Sequence, residues 1–151
     1  MDSIEVLRRS DVFHYLDDND LKEVGKMCTA ETFEAGTTLF KHNRELEKLY
    51  VIQEGCVAIQ LELGATDRRQ MQSAAAFECI GWEATVPPFR AMTTAQALEK
   101  TTVLAFNGRA LRNLYYTNPS LCCACAGGVA YVISQRLKTA FSQLMGVASQ
   151  Y

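Results

Sequence analysis

The spacing of apolar residues changes character along the chain. Ile4, Leu7, Val12, Phe13 and Leu16 fall on one face at helical spacing, and Ser10-Asp11 interrupts them, which predicts one or two short helices over 4–16. Asp17-Asp18-Asn19-Asp20 supplies N-cap candidates for a second helix that ends near Cys28. A strand-like pattern follows. Thr29–Phe33, Thr37–Phe40, Leu49–Ile52, Cys56–Leu63 and Arg68–Gln72 read as strands, with turns at Glu34-Ala35-Gly36, Gln53-Glu54-Gly55 and Gly64–Asp67. Two more strands are expected at about Met92–Leu98 and Thr101–Phe106. Asn107 then caps a short helix, Gly108 to about Tyr116. Thr117-Asn118-Pro119 restarts the chain as a long helix to about Met145, because proline suits a first helical position. Val129, Val132, Ile133, Leu137, Ala140, Phe141 and Leu144 share one face of it. Short strands with regular turns argue for a sandwich or barrel.

Composition narrows this to one domain with its own core. The chain has 151 residues, 48% hydrophobic and 21% charged, and a net charge of −2. No basic stripe marks a nucleic-acid surface. The acidic start, Met1 to Glu5, is not a secretory signal, and no stretch is expected to reach the roughly 18–20 apolar residues of a membrane span. The six cysteines, without an export signal, read as reduced thiols in a cytoplasm. Nothing folded is expected beyond residue 151.

Candidate chemistry concentrates in Ile80–Thr94. Gly81 lets backbone N–H groups approach a ligand, and a short helical turn after it offers unpaired donors. Arg90 supplies a planar cationic fork for a phosphate or carboxylate. Ligand-binding candidates are Gly81, Trp82, Glu83, Ala84, Arg90, Thr93 and Thr94. Against this stands a plainer reading in which Arg90 and Glu83 pair with each other or face solvent, and Trp82 plugs the pocket as a core aromatic.

Other constellations are weaker. Cys122-Cys123-Ala124-Cys125 holds a Cys-x-x-Cys at a helix start, where a thiol pKa falls, so a redox sensor is a further alternative. No second cysteine pair or nearby histidine completes a metal site, and His14 and His42 form no His-x-His. No catalytic residue and no metal ligand is assigned, and an enzyme is not expected. Gly127-Gly128 predicts a hinge in the long helix. Val129, Ile133, Leu137, Ala140 and Leu144 make a near-heptad stripe suited to a dimer seam.

The layout resembles the cyclic nucleotide-binding domain, the sensor β-roll of CRP/FNR-type regulators, kinase regulatory subunits and gated channels. Leu49–Ile59 looks like its strand, glycine turn and return strand. Gly36 looks like its first turn glycine, Ala97–Leu104 like the strands after the binding cassette, and Ser134-Gln135-Arg136-Leu137 like the Arg-Leu of the last helix. The resemblance implies a mainly β fold with flanking helices: a double-stranded β-helix, or jelly-roll-like β-roll, plus N-terminal helices and a long C-terminal helix. Its parts are about 1–28 for the N-terminal helices, 29–106 for the roll with its cassette at 80–94, and 107–151 for the C-terminal helices, all in one domain.

In this family a glutamate directly after the cassette glycine holds the ribose, and a later arginine holds the cyclic phosphate. Here Trp82 follows Gly81, with Glu83 one place late. The arginine position falls on Ala91, with Arg90 one place early. In a strand a shift of one residue sends a side chain to the opposite face. The resemblance implies a regulatory sensor of a small anionic ligand, with cyclic AMP or cyclic GMP binding altered or lost, signalling through the C-terminal helix to a homodimer or a regulatory protein partner. It implies no DNA binding by this chain alone. The alternative is a ligand-free β-roll serving as a protein-interaction or dimerisation module.

Overall fold

A computed structural model describes residues 1–146. The N-terminal region forms α1 (Ser3–Arg9) and α2 (Asp18–Gly25), capped by the side chains of Asp2 and Asp17. The break between them is where Ser10-Asp11 predicts it. The Ser10 hydroxyl donates to Leu7 O and accepts from Phe13 N, which ties the chain into a turn.

Among the described residues eight strands build two antiparallel sheets. They are β1 (Thr29–Phe33), β2 (Thr38–Phe40), β3 (Lys48–Glu54), β4 (Val57–Glu62), β5 (Arg68–Ala74), β6 (Cys79–Ile80), β7 (Thr94–Ala97) and β8 (Thr101–Asn107). One sheet has the order β1-β8-β3-β6 and the other β2-β7-β4-β5. This is the β-roll with flanking helices that the resemblance implies, and it meets the sandwich or barrel expected from the strand spacing.

The unbroken apolar run of β3 has a direct cause: both of its faces are covered. Leu49 and Val51 enter the core beneath the helices, whereas Tyr50 and Ile52 enter the core between the sheets. In β8, Leu104 and Phe106 face the helices, and Val103 and Ala105 face the opposite sheet. Strands buried on both sides lose the alternation of a half-exposed strand.

After the roll come α3 (Gly108–Thr117), capped by Asn107, and α4 (Pro119–Leu144), capped by Asn118 with proline in its first turn. The reading of C-terminal helices to 151 extends beyond the described residues. Leu121, Cys125, Val129 and Val132 of α4 are buried in the helix-side core. Gly128 is the crossing point: a Cβ there would lie 1.7 Å from Val12 O. The helix passes through Gly127-Gly128 without a break. Close approach to another backbone therefore accounts for Gly128, a reason that helix propensity does not reveal.

By length and composition α4 meets the requirements of a membrane span, with a mean hydropathy of 1.2 over 18 residues. This corrects the expectation that no stretch does so. Cysteine and alanine raise the mean without forming a uniform apolar surface, and Leu121, Cys125, Val129 and Val132 of the helix are spent against the roll.

Candidate functional site

The cassette begins where the short β6 pairs with β3, Tyr50 opposite Ile80 and Val51 opposite Cys79. The chain then turns at Gly81, whose φ is 77°, a left-handed conformation that favours glycine. A Cβ there would also lie 2.9 Å from Lys48 O. One 3₁₀ turn, Trp82–Thr85, follows, and then Pro87-Pro88.

The far end of the cassette is stitched to residues 43–46. Leu46 N donates to Phe89 O at 2.7 Å, Ala91 N to Arg44 O at 3.0 Å, and Asn43 N to Ala91 O at 2.8 Å. Arg112 braces the loop from α3, donating to Ala84 O at 2.6 Å and lying over the Phe89 ring at 4.0 Å.

These bonds fix the register that the sequence leaves open. Ala91, at the position of the family's arginine, is 2% exposed and points into the core. Its neighbour Arg90 must then point outward. Arg90 is exposed, bridges opposite Glu45, and donates from Nη1 to Asn43 O at 2.6 Å. It does not meet Glu83.

Glu83 is 5% exposed, and its Oε2 accepts from Met92 N at 2.8 Å. Burial is the main cause that raises its pKa, against the lowering effect of the Met92 N–H.

A cavity of about 260 Å³ lies between the cassette and α4. Ile80, Gly81, Trp82, Glu83, Met92 and Thr93 contribute the cassette wall. Phe40, Ile59, Met71 and Gln72 come from the sheet, and Ile133, Arg136, Leu137 and Ala140 from α4. Four of the seven sequence candidates, Gly81, Trp82, Glu83 and Thr93, thus converge on one space. Ala84, Arg90 and Thr94 lie outside that lining. Ala84 is buried beneath Gly108, and Thr94 is buried, accepting from His42 N at 3.0 Å and donating to Glu62 Oε1 at 2.9 Å. Trp82 is a half-buried wall residue and leaves the cavity open.

Sequence reasoning did not place the α4 residues in this wall. The signal was present in the 3,4 spacing of Ile133, Leu137 and Ala140, which marks an apolar face without saying what it covers. Arg136 ties that face down. Its Nη2 donates to Cys79 O at 3.0 Å, its Nη1 lies 3.7 Å from Glu78 Oε2, and its carbonyl accepts from Gln72 Nε2 at 3.0 Å. One turn and more beyond, Gln143 Nε2 donates to Met71 O.

The Cys-x-x-Cys lies on the anchored part of α4. Cys125 is buried, and desolvation pushes its thiol up to about 12, which opposes the thiolate a redox centre needs. The local dielectric outweighs the favourable helix start here. Among the described residues no group of three or more His, Cys, Asp or Glu could hold a metal ion.

A two-sheet roll with a glycine-initiated cassette, roofed by a C-terminal helix, defines a regulatory ligand-binding β-roll. The sequence profile of the cyclic nucleotide-binding domain matches residues 30–118, and the chain belongs to that family. Solved structures agree. A Geobacter metallireducens GS-15 protein named as a candidate cyclic nucleotide-binding protein shares 26% identity, with 91% of this chain and 99% of that one covered and a TM-score of 0.79. The N-terminal domain of a Streptomyces coelicolor A3(2) transcriptional regulator shares 26% identity over 92% and 94% of the two chains, with a TM-score of 0.72. A cyclic nucleotide-binding domain from Methylobacillus flagellatus KT, at 12% identity, has the same fold with a TM-score of 0.82 over 95% and 80%. No curated protein matches the chain significantly.

Proposed function

We propose that the chain is a small-ligand-sensing regulatory domain in which filling the cavity repositions the second half of α4. One observation carries this reading: α4 itself forms a wall of the cavity through Ile133, Arg136, Leu137 and Ala140. A ligand there acts on the helix without an intermediary. Gly81, Trp82, Glu83 and Thr93 are its cassette contacts. Cyclic AMP and cyclic GMP binding is altered or lost, because the phosphate position holds buried Ala91 and Arg90 is turned outward. All six cysteines are free thiols, which suits a reducing cytoplasm. Residues 1–151 act as one domain in this reading, without catalysis.

The exposed apolar residues Leu137, Phe141, Leu144 and Met145 support an output through contact with a second copy or a regulatory protein. They also favour the second reading, a ligand-free dimerisation module.

Calorimetry with cyclic AMP and cyclic GMP, run beside hydrogen exchange, separates the two. A sensor saturated with any cavity ligand changes exchange across 133–144 while 119–132 stays as it was. Unchanged exchange in the saturated protein sinks the sensing reading. A stable dimer that binds no small molecule supports the module.

A further inference from the structure

The cavity wall is almost entirely apolar. Phe40 and Trp82 contribute aromatic side chains to it, and Met71 and Met92 are methionines, whose thioethers pack well against aromatic rings. Its polar side chains Glu83, Gln72 and Arg136 are engaged. Glu83 holds the Met92 N–H, and Gln72 holds Arg136 O. The cation in the wall, Arg136, is turned to Cys79 O and Glu78. Arg90, the cation offered by the cassette itself, lies outside. An anion entering the cavity would lose its hydration and find no uncommitted cation. A carboxylate that already accepts from Met92 N still has lone pairs for another donor.

We infer that the cavity binds an uncharged aromatic molecule carrying an N–H or O–H donor: Trp82, Phe40, Met71 and Met92 hold its ring, and Glu83 accepts its hydrogen bond. This rests on the sensing reading above and names the ligand class for the same site. It also accounts for the cassette offset. Trp82 stands where the family places its ribose-binding glutamate, so a position that recognised a sugar hydroxyl now offers a ring. The glutamate one place later keeps a single acceptor at the wall.

The test uses three probes on the intact chain: indole, benzoate and cyclic AMP. Benzoate matches indole in being a small aromatic but carries the charge that the cavity should refuse. Calorimetry is expected to show indole binding, displaced by neither benzoate nor cyclic AMP. A140W, which fills the cavity from α4, should abolish indole binding, with circular dichroism confirming that it folds; A140F serves if it does not. E83Q turns an amide N–H₂ toward the ligand donor once its oxygen is taken by Met92 N, and should weaken indole about tenfold. Tighter binding of benzoate or cyclic AMP than of indole overturns the ligand class while the sensing reading stands. Indole binding that A140W leaves intact also overturns it, by locating the site elsewhere. Indole binding without any change in α4 exchange upholds the ligand class and removes the sensing reading. Absence of binding by all three removes the ligand class.

Discussion

The two halves of α4 are one continuous helix held in opposite ways. From Pro119 to Val132 the helix is locked into the core by Leu121, Cys125, Val129 and Val132, with Gly128 against the Val12 backbone. From Ile133 to Leu144 it roofs an open cavity, fastened mainly by polar contacts from Arg136 and Gln143. Leu137 is 49% exposed and Leu144 84%, so much of the apolar side of this half has no partner in the monomer. Apolar burial fixes a segment regardless of small adjustments, whereas a few hydrogen bonds can be exchanged for others at little net cost. The first half is thereby an anchor, and in the sensing reading the second is a segment whose position depends on what lies beneath it.

The largest expected effect breaks the anchor. G128A forces a methyl group into Val12 O and should cost about 3–5 kcal/mol in urea unfolding, as overpacking against a backbone does. A cost below about 1 kcal/mol would show that this half is no better fixed than the other.

Asp11 tests the join between the halves. It precedes Val12, accepts from Cys79 N at 2.9 Å, and shares a cleft with Arg136 and Glu78. Its pKa is pushed up to about 6 from 3.8, first by burial, with the Cys79 N–H and Arg136 opposing. Between those values the folded chain keeps a proton that the unfolded chain has released. Stability from this group is therefore highest at low pH and declines as pH rises from about 4 through about 6, by roughly 3 kcal/mol in all. D11N retains an oxygen acceptor for Cys79 N and should flatten that slope in unfolding measured across the window. An unchanged slope would refute the assignment.

R136A should loosen the roof alone. Losing the bond to Cys79 O and the approach to Glu78 is worth about 1–2 kcal/mol, and amide exchange should quicken over 133–144 but not over 119–132. Uniform quickening along α4 would erase the distinction. The smallest effect belongs to R90A. Its exposed contact to Asn43 O should contribute less than about 0.5 kcal/mol, and cyclic AMP calorimetry should not change. A measurable loss of affinity would place Arg90 inside the site after all.

Much of this arrangement was legible in the sequence. Strand and helix positions followed from turn residues, caps and apolar spacing because those are local effects. Asn107 and Asn118, for example, each cap a helix as their positions announce. The two-residue β6 left no periodic signal of its own and was missed as a strand. The turn that opens Trp82–Thr85 was readable from Gly81. The direction of Arg90 was not, since it is decided by the ladder from Ala91 and Phe89 to residues 43–46, more than 40 positions away in sequence. The role of Gly128 was likewise hidden. A glycine pair inside a helix reads as weakness until the chain it crosses is known. The cavity wall from α4 depended on tertiary packing in the same way.

The end of the buried run at Val132 also gives the helix a mechanical gain. Twelve residues separate it from Leu144, a length of about 18 Å at 1.5 Å per residue. With Val132 as fulcrum, a tilt of about 10° carries the far end roughly 3 Å, enough to change which residues meet an opposing surface. In the sensing reading, a ligand that displaces Ala140 by a fraction of that distance is amplified along the remaining turn. The residue at which core packing ends thus sets the length of the lever arm.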